Sequence, residues 1–241
     1  MKLLLILPAK DEADNLPPLL EAIDHVRTNH SLDLDVVVVN DGSIDDTSAI
    51  VTALATDYPY LTLIQHPQNL GLGAAVRTGL RHAQTKDYKA AALMDADLSQ
   101  DPADLPRLYA AVTAGADLVI GSRYVPGGGM EGVPAWRRAI SVAGNTLGRH
   151  VLGVPIRDMT SGYRAFRVAS LAEFSLEEVG YGIQLEAVVK ARLAGLRLTE
   201  APIMLRVRRH GTSKLLYNTT FWRRYVNLFL RAWGWTRAGR S

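Results

Sequence analysis

Asp95-Ala96-Asp97 comes directly after the apolar run at residues 90–94, and Asn40-Asp41-Gly42-Ser43 directly after the β-branched run at 36–39. Carboxylates two residues apart on an extended chain leave opposite faces. They address one site only if the chain turns there, as it does at a strand end. Two such carboxylates together with substrate phosphates suit Mg²⁺ or Mn²⁺; the other reading of the triplet is a loop that opens with exposed acids. An acid in the place of Asp41 holds a ribose or base edge in other nucleotide-binding folds, and the same stretch also makes a Gly turn ahead of a helix cap. Lys10-Asp11-Glu12 and Gly121-Ser122-Arg123-Tyr124 likewise follow apolar runs, at 3–7 and 118–120. Arg123, Arg137, Arg138, Arg208 and Arg209 are the candidate phosphate binders, because guanidinium pairs with phosphate through two hydrogen bonds. A solvated surface position is the default for any one arginine.

Other chemistries lack their residues. The chain has no cysteine, which excludes disulfides, thiolate zinc sites, iron–sulfur clusters and cysteine nucleophiles. Its six histidines, His25, His30, His66, His82, His150 and His210, show no metal-ligand spacing. Only His210, beside Arg208, Arg209 and Gly211, is placed to line a site. Gly71-Leu72-Gly73 is not a dinucleotide fingerprint, since Val76 stands where a third small residue is needed. It reads as a tight helix entry. No P-loop and no Gly-x-Ser-x-Gly elbow occurs.

The elements that must position these residues alternate. Strands are predicted at 3–7, 36–39, 61–64, 90–94 and 118–120, and helices at 13–29, from Asp45 or Asp46 to about 57, at 74–83 and at 103–114 with Pro102 at its start. This pattern implies an α/β fold, a mostly parallel Rossmann-like sheet with helices on both faces. Ligands of such sheets bind beyond the carboxyl ends of the strands, where all four polar clusters fall. The second half is less regular. A Gly-rich mobile loop is expected at 125–133, helices at 135–152, 181–194 and 217–235, and an extended segment at 196–205.

The 241 residues are 48% hydrophobic and carry a formal charge of +3, which suits one globular domain with an appendage and argues against disorder. The charge is uneven. No Asp or Glu follows Glu200, while residues 201–241 carry nine Lys or Arg. An acidic body with a basic tail points to an anionic partner near the tail. The apolar start is too short for a signal peptide, and no apolar run approaches the ~18 residues of a spanning helix.

The ordered set of motifs resembles a known family. Pro8-Ala9-Lys10-Asp11-Glu12, Asn40-Asp41-Gly42-Ser43, Gly71-Leu72-Gly73 with Gly79-Leu80, and Asp95-Ala96-Asp97-Leu98-Ser99 are similar to family-2 glycosyltransferases of the GT-A fold. Gly121-Ser122-Arg123-Tyr124, Gly127-Gly128-Gly129, Trp136-Arg137-Arg138, Ser141, Asn145 and Asp158-Met159-Thr160-Ser161-Gly162-Tyr163-Arg164 narrow the resemblance to dolichyl-phosphate mannose synthases and their bacterial polyprenyl-phosphate relatives. Gln184-Leu185-Glu186 and His210-Gly211-Thr212-Ser213-Lys214-Leu215 continue it, so that it covers about residues 3–216.

The resemblance implies a GT-A catalytic domain over 1–216, and the residue pattern beyond it gives a basic, aromatic-rich amphipathic helix over 217–241. The resemblance also implies inverting transfer of a hexose, mannose from GDP-mannose first, to a polyprenyl phosphate. Asp95 and Asp97 would hold Mg²⁺ or Mn²⁺. Pro8, Glu12, Asp41, Asp95 and Ala96 would line the donor nucleotide. Arg123, Arg137, Ser141 and Arg208 would bind the acceptor phosphate, with Asp97, Arg123 and Arg208 catalytic, and Gln184 and Glu186 would shape the sugar pocket. The family's Asp-Asp-Gly-Ser is Asn40-Asp41-Gly42-Ser43 here, and Ser99 followed by Gln100 stands where some relatives carry Gln. A phosphate monoester, with a second pKa near ~6, needs no strong base, which agrees with a site rich in arginine.

The tail residues Phe221, Trp222, Tyr225, Leu228, Phe229 and Trp233 interleave with Arg223, Arg224 and Arg231. That pattern suits either an interfacial helix on anionic lipid or a helix packed on its own domain. A peripheral place on the cytoplasmic face of a membrane is expected, reached by surface contact or through a membrane partner subunit. The alternatives are a UDP-sugar donor such as UDP-glucose, a hydroxyl acceptor with Glu186 as base, and a catalytically inert membrane-associated binding module. Nucleic acid is not expected as a partner, since no recognised module is present.

Overall fold

In the computed structural model, which describes residues 1–208 and 219–238, the first half alternates as its pattern requires. It runs β1 (Leu3–Ala9), α1 (Leu16–Asn29), β2 (Leu34–Asn40), α2 (Thr47–Asp57), β3 (Leu61–Gln65), α3 (Leu72–Thr85), β4 (Ala90–Leu93), α4 (Leu105–Thr113) and β5 (Leu118–Ser122). The second half holds β6 (Gly129–Met130), α5 (Ala135–Leu152), β7 (Arg164–Arg167), α6 (Val168–Ala172), α7 (Ile183–Leu193), β8 (Leu198–Pro202), β9 (Met204–Leu205) and α8 (Thr219–Ala238). The predicted boundary at 216–217 lies outside the described residues.

Local chemistry sets several ends. Asp45, rather than Asp46, caps α2, its Oδ1 accepting from the Thr47 backbone N–H at 3.0 Å. The helix expected at 103–114 opens as a 3₁₀ turn, Pro102–Asp104, with the Asp101 side chain accepting from the Ala103 N–H. The Gly-rich stretch at 125–133 is partly ordered, because Gly129 and Met130 pair in parallel with Met204 and Leu205.

Among the described residues the main sheet has the order β3-β2-β1-β4-β7-β5-β8. Both faces of β1 are buried. Leu3, Leu5 and Leu7 belong to the core that holds Leu16, Leu19, Leu20 and Ile23 of α1 and Leu105, Leu108 and Val112 of α4. Leu4 and Ile6 belong to the core that holds Ala75, Val76 and Leu80 of α3 and Val188 and Val189 of α7. Two buried faces explain why the inner strands read as unbroken apolar runs rather than alternating ones.

One strand departs from the parallel expectation. β7 runs antiparallel to both β4 and β5, with Arg164 opposite Leu93 and Ile120. β4 and β5 therefore still point the same way, and the four polar clusters share one edge. The reversal also has a consequence for the crevice. The first residue of β7 lies level with the last residues of β4, so the segment at 158–163 that leads into it crosses the crevice.

The two readings of the C-terminal helix share its surface. Leu228 and Ala232 are fully buried in the core that contains α7, while Trp222, Val226, Leu230 and Trp233 are exposed. The side chain of Phe221 lies outside the described set.

α3 lies close on β1 at Gly79. A Cβ there would sit 2.3 Å from Cγ2 of Ile6. Gly79→Val should therefore destabilise the fold by about 1–3 kcal/mol through overpacking, outweighing the few tenths that valine gains in helix propensity. Equilibrium urea unfolding measures it, and unchanged stability would show that α3 can shift freely.

Candidate active site

The turn after β4 is built around two carboxylates. Asp97 Oδ1 accepts from the Ser99 backbone N–H at 3.0 Å, and Leu98 adopts a left-handed φ of 61°. That conformation is uncommon for a bulky residue and is found where the surroundings over-determine the backbone, often at functional sites. It turns the strand end so that Asp95 and Asp97 face one space. Gln100 grips Asp95 twice. Its Oε1 accepts from the Asp95 N–H at 3.0 Å and its Nε2 donates to Asp95 Oδ2 at 2.8 Å. Gly162, in the segment that crosses the crevice, leaves room for this carboxylate: a Cβ there would lie 3.0 Å from Asp95 Oδ2.

Counter-charge arrives from the chain after β9. The Arg206 N–H donates to the Ser99 carbonyl at 2.8 Å, fixing this strand beside the turn. Two residues on, Arg208 Nη2 reaches Asp97 Oδ2 at 2.7 Å. The walls of the crevice desolvate Asp95, and with the nearby Asp97 and Glu12 charges they push its carboxyl up to about 7, against the pull of Arg208 and Arg123. Tyr181 borders the same cluster: desolvation first, then the Asp95 charge, lifts its phenol to about 12.

The first two strand ends are tied together. The Asp11 N–H donates to Ser43 Oγ, and its carboxylate accepts from the Ile44 N–H. The Glu12 N–H donates to Thr47 Oγ1, and Glu12 Oε2 accepts from Asn15 Nδ2 at 2.7 Å. Pro8 pairs with Val39, and Ala96 is buried between the aspartates.

Three of the expected site residues are engaged by the protein's own groups. Asp41 is expected to hold the nucleoside, but its carboxylate serves the protein. Oδ1 meets His66 Nδ1 at 2.7 Å and accepts from the Leu70 N–H, and Oδ2 accepts from the Gly71 N–H. Asp41 thus anchors the entry to α3. Glu186 is expected in the sugar pocket, yet it is fully buried and accepts from the N–H groups of Glu177 and Glu178 and from Lys190 Nζ. Its carboxylate is thus engaged by the protein's own donors. Arg123 is expected to grip a phosphate with its two-pronged edge. That edge is on Asp158 instead, with Nε 2.7 Å from Oδ2 and Nη2 2.6 Å from Oδ1.

The remaining sites stand as follows. Arg137 and Ser141 lie one turn apart on α5, so their side chains share a face. Arg137 stacks on the Trp136 ring, and Ser141 Oγ accepts from the Tyr124 hydroxyl at 2.7 Å. Gln184 is buried, its carbonyl accepting from Arg164 Nη1. Arg138 lies on the exposed side of the same helix. Arg209, His210 and the residues up to Leu215 lie outside the described set.

Sequence reasoning assigned no role to Asp158, Gln100, Arg164 or Tyr181. The fully buried Asp158 also accepts from the Arg123 backbone N–H. Asn145 braces the neighbouring segment, donating to Thr160 Oγ1 and accepting from the Met159 N–H. Arg164 donates to the carbonyls of Met159, Ser161 and Gln184. The only signal for Asp158 and Arg164 was membership of one continuous motif, which says nothing of partners.

Among the described residues no three His, Cys, Asp or Glu side chains form a metal cage. Two carboxylates that repel one another do fit a divalent cation that takes its other ligands from phosphate and water.

Residues 4–174 match the family described as "Glycosyl transferase family 2". The chain is 40% identical over 217 residues to the "Polyprenol monophosphomannose synthase" of Mycolicibacterium smegmatis, covering 88% of this chain and 80% of that one. It is 38% identical over 219 residues to the "Undecaprenyl-phosphate mannosyltransferase" of Micrococcus luteus, covering 89% and 88%. In fold it is similar to glucosyl-3-phosphoglycerate synthase from Mycobacterium tuberculosis, solved in complex with Mn²⁺, UDP-glucose and phosphoglyceric acid. The TM-score is 0.72 at 20% identity, over 97% of this chain and 80% of that one. The chain belongs to glycosyl transferase family 2 and has the GT-A fold.

The Asp95 environment predicts a pH dependence. Its carboxyl titrates near 3.8 when unperturbed and about 7 in the fold. Between those values the folded state holds a proton that the unfolded state has lost, so this group's contribution to stability falls as pH rises through about 7. Asp95→Asn should flatten that part of the profile in melting curves recorded with a chelator. An identical slope in both proteins would show that Asp95 ionises normally.

Proposed function

We propose that this family-2 glycosyltransferase moves a mannosyl group from GDP-mannose to the phosphate of a polyprenyl phosphate, with inversion at the anomeric carbon. One observation carries the reading: a carboxylate pair countered by Arg208, at the shared edge of four strands. The two mannosyltransferase relatives support the same acceptor and sugar.

Asp95 and Asp97 would hold Mg²⁺ or Mn²⁺, which when bound neutralises the leaving nucleoside diphosphate as a Lewis acid. Glu12, with Pro8 and Ala96 beside it, lines the donor side of the crevice. Arg208 is placed to stabilise charge that develops on the leaving group. Arg137 and Ser141 orient the acceptor phosphate, while Arg123, fixed by Asp158, contributes its field and shapes the wall. The acceptor is ionised at neutral pH, so the step needs position more than proton transfer. A phosphate oxygen forms the new bond to the anomeric carbon as the bond from that carbon to GDP breaks, and no proton has to move. Gln184 and Tyr181 are left to contact the sugar.

The acceptor implies a membrane nearby. No helix among the described residues is long and apolar enough to cross one. The exposed rows Trp136, Ile140 and Leu147 on α5 and Trp222, Val226 and Leu230 on α8, flanked by Arg223 and Arg224, suit peripheral contact with anionic lipid.

Radiolabelled GDP-mannose and UDP-glucose, offered separately with a short polyprenyl phosphate, test the proposal. Metal-dependent label should enter the lipid phase from GDP-mannose. Label from UDP-glucose alone would replace the donor, and none from either with folded protein would overturn the reaction. Asp97→Ala should lower transfer at least ~100-fold. Arg137→Ala should raise the acceptor KM about 10-fold with little change in donor KM; the reverse pattern would move Arg137 to the donor side.

A further inference from the structure

A recess of about 250 Å³ lies along α5, lined by Tyr124, Val142, Asn145, Thr146, Arg149, His150 and Arg157. It is smaller than the ~300–1,000 Å³ of most small-molecule sites, a size for a compact polar group. Arg149 and Arg157 are cationic, Tyr124, Asn145, Thr146 and His150 add polar donor groups, and none of the lining side chains is acidic. Arg157 Nη1 only grazes the Tyr124 carbonyl, at 3.5 Å. Among the described residues, neither Arg149 nor Arg157 has a carboxylate within ion-pair distance, unlike Arg107, Arg123, Arg206, Arg208 and Arg231. Glu200, the acid adjoining this segment, is held by the backbone N–H groups of Arg157 and Asp158.

We infer that this recess is a second anion site, built to take a phosphoryl group through Arg149, Arg157 and His150. Paired guanidinium groups suit tetrahedral oxyanions better than ammonium groups do. Val142 and the Tyr124 ring supply an apolar wall for the carbon side of a phosphate ester. The site backs onto the crevice. The Tyr124 hydroxyl donates to Ser141, and Asn145 holds Thr160, which also accepts from Arg123 Nη2. An anion in the recess therefore braces the same wall from behind, without touching the reacting atoms. Its source is either the phosphate of a phospholipid head group or a free phosphate.

Two arms separate those sources on the full-length protein. The first is calorimetric titration with inorganic phosphate. The second is co-sedimentation with phosphatidylcholine vesicles, with and without phosphatidylglycerol. Arg149→Ala/Arg157→Ala is compared with Arg81→Ala/Arg192→Ala, which removes equal charge from α3 and α7, and melting curves confirm that both fold. The recess variant should lose at least ~10-fold in phosphate affinity if free phosphate is the ligand, or in retention on phosphatidylglycerol vesicles if a head group is. Transfer to a short acceptor in detergent should stay within about 2-fold of the parent. Equal losses in the control variant would reduce the effect to net charge. A collapse of transfer would assign the recess to the catalytic acceptor site. No loss in either arm would leave the recess without a phosphoryl ligand. Each of these three results overturns the inference.

Discussion

Two carboxylates held side by side at the end of β4 repel each other, and much of the architecture answers that repulsion. A bare pair at this spacing on an extended strand would point apart and solvate separately. Here the left-handed Leu98 turns the chain and both acids face one space. Gln100 holds one rotamer of Asp95, Gly162 yields the volume, and Arg208 supplies the opposing charge. None of these partners is adjacent to Asp95 in sequence. The antiparallel course of β7 carries Gly162 across the crevice, and the contact between Arg206 and Ser99 delivers Arg208. The raised pKa of Asp95 shows the compensation to be incomplete, as expected of a site that awaits more positive charge.

Other buried acids of the chain are treated in the opposite way. Asp41 and Asp158 accept backbone N–H groups from segments remote in sequence, Glu186 accepts them from the loop that precedes its own helix, and each meets a cationic or imidazole partner. Carboxylates so satisfied hold loops in place and offer little to a ligand. Together they clasp the two loops flanking the crevice: Asp41 fixes the entry to α3, Glu186 fixes residues 177 and 178, and the Gly73 N–H closes the gap by donating to the Val179 carbonyl at 2.7 Å. Acid type alone cannot separate a ligand-facing aspartate from an anchoring one. Counting donors does.

That distinction marks where the sequence is legible. The strand–helix alternation and the shared edge of four polar clusters follow from apolar runs and turn residues, because burial on both faces leaves an unmistakable pattern. β7 was missed for a physical reason. It has four residues, Arg at each end, and a buried guanidinium whose partners are carbonyls of residues 159, 161 and 184. Nothing local in Arg-Ala-Phe-Arg announces a central strand. The partners of Glu186 and Arg123 are not legible in the sequence, because a resemblance carries residue types, while their contacts depend on backbone donors and on Asp158.

α5 joins the two halves of the proposed chemistry. A polyprenyl phosphate presents a dianion that must enter a polar crevice and a hydrocarbon tail that must not. Arg137 and Ser141 stand one helical turn apart and share a face, while Trp136, Ile140 and Leu147 are exposed on another. One helix can therefore meet the head on one side and the apolar phase on the other. Gly148 makes room for Met159, whose Cε a Cβ there would meet at 2.4 Å, and Phe229 of α8 packs at ordinary contact distance from the same point, 3.9 Å. On the proposed function, Arg223 and Arg224 of the tail flank an apolar face packed beside the helix that carries the proposed acceptor residues.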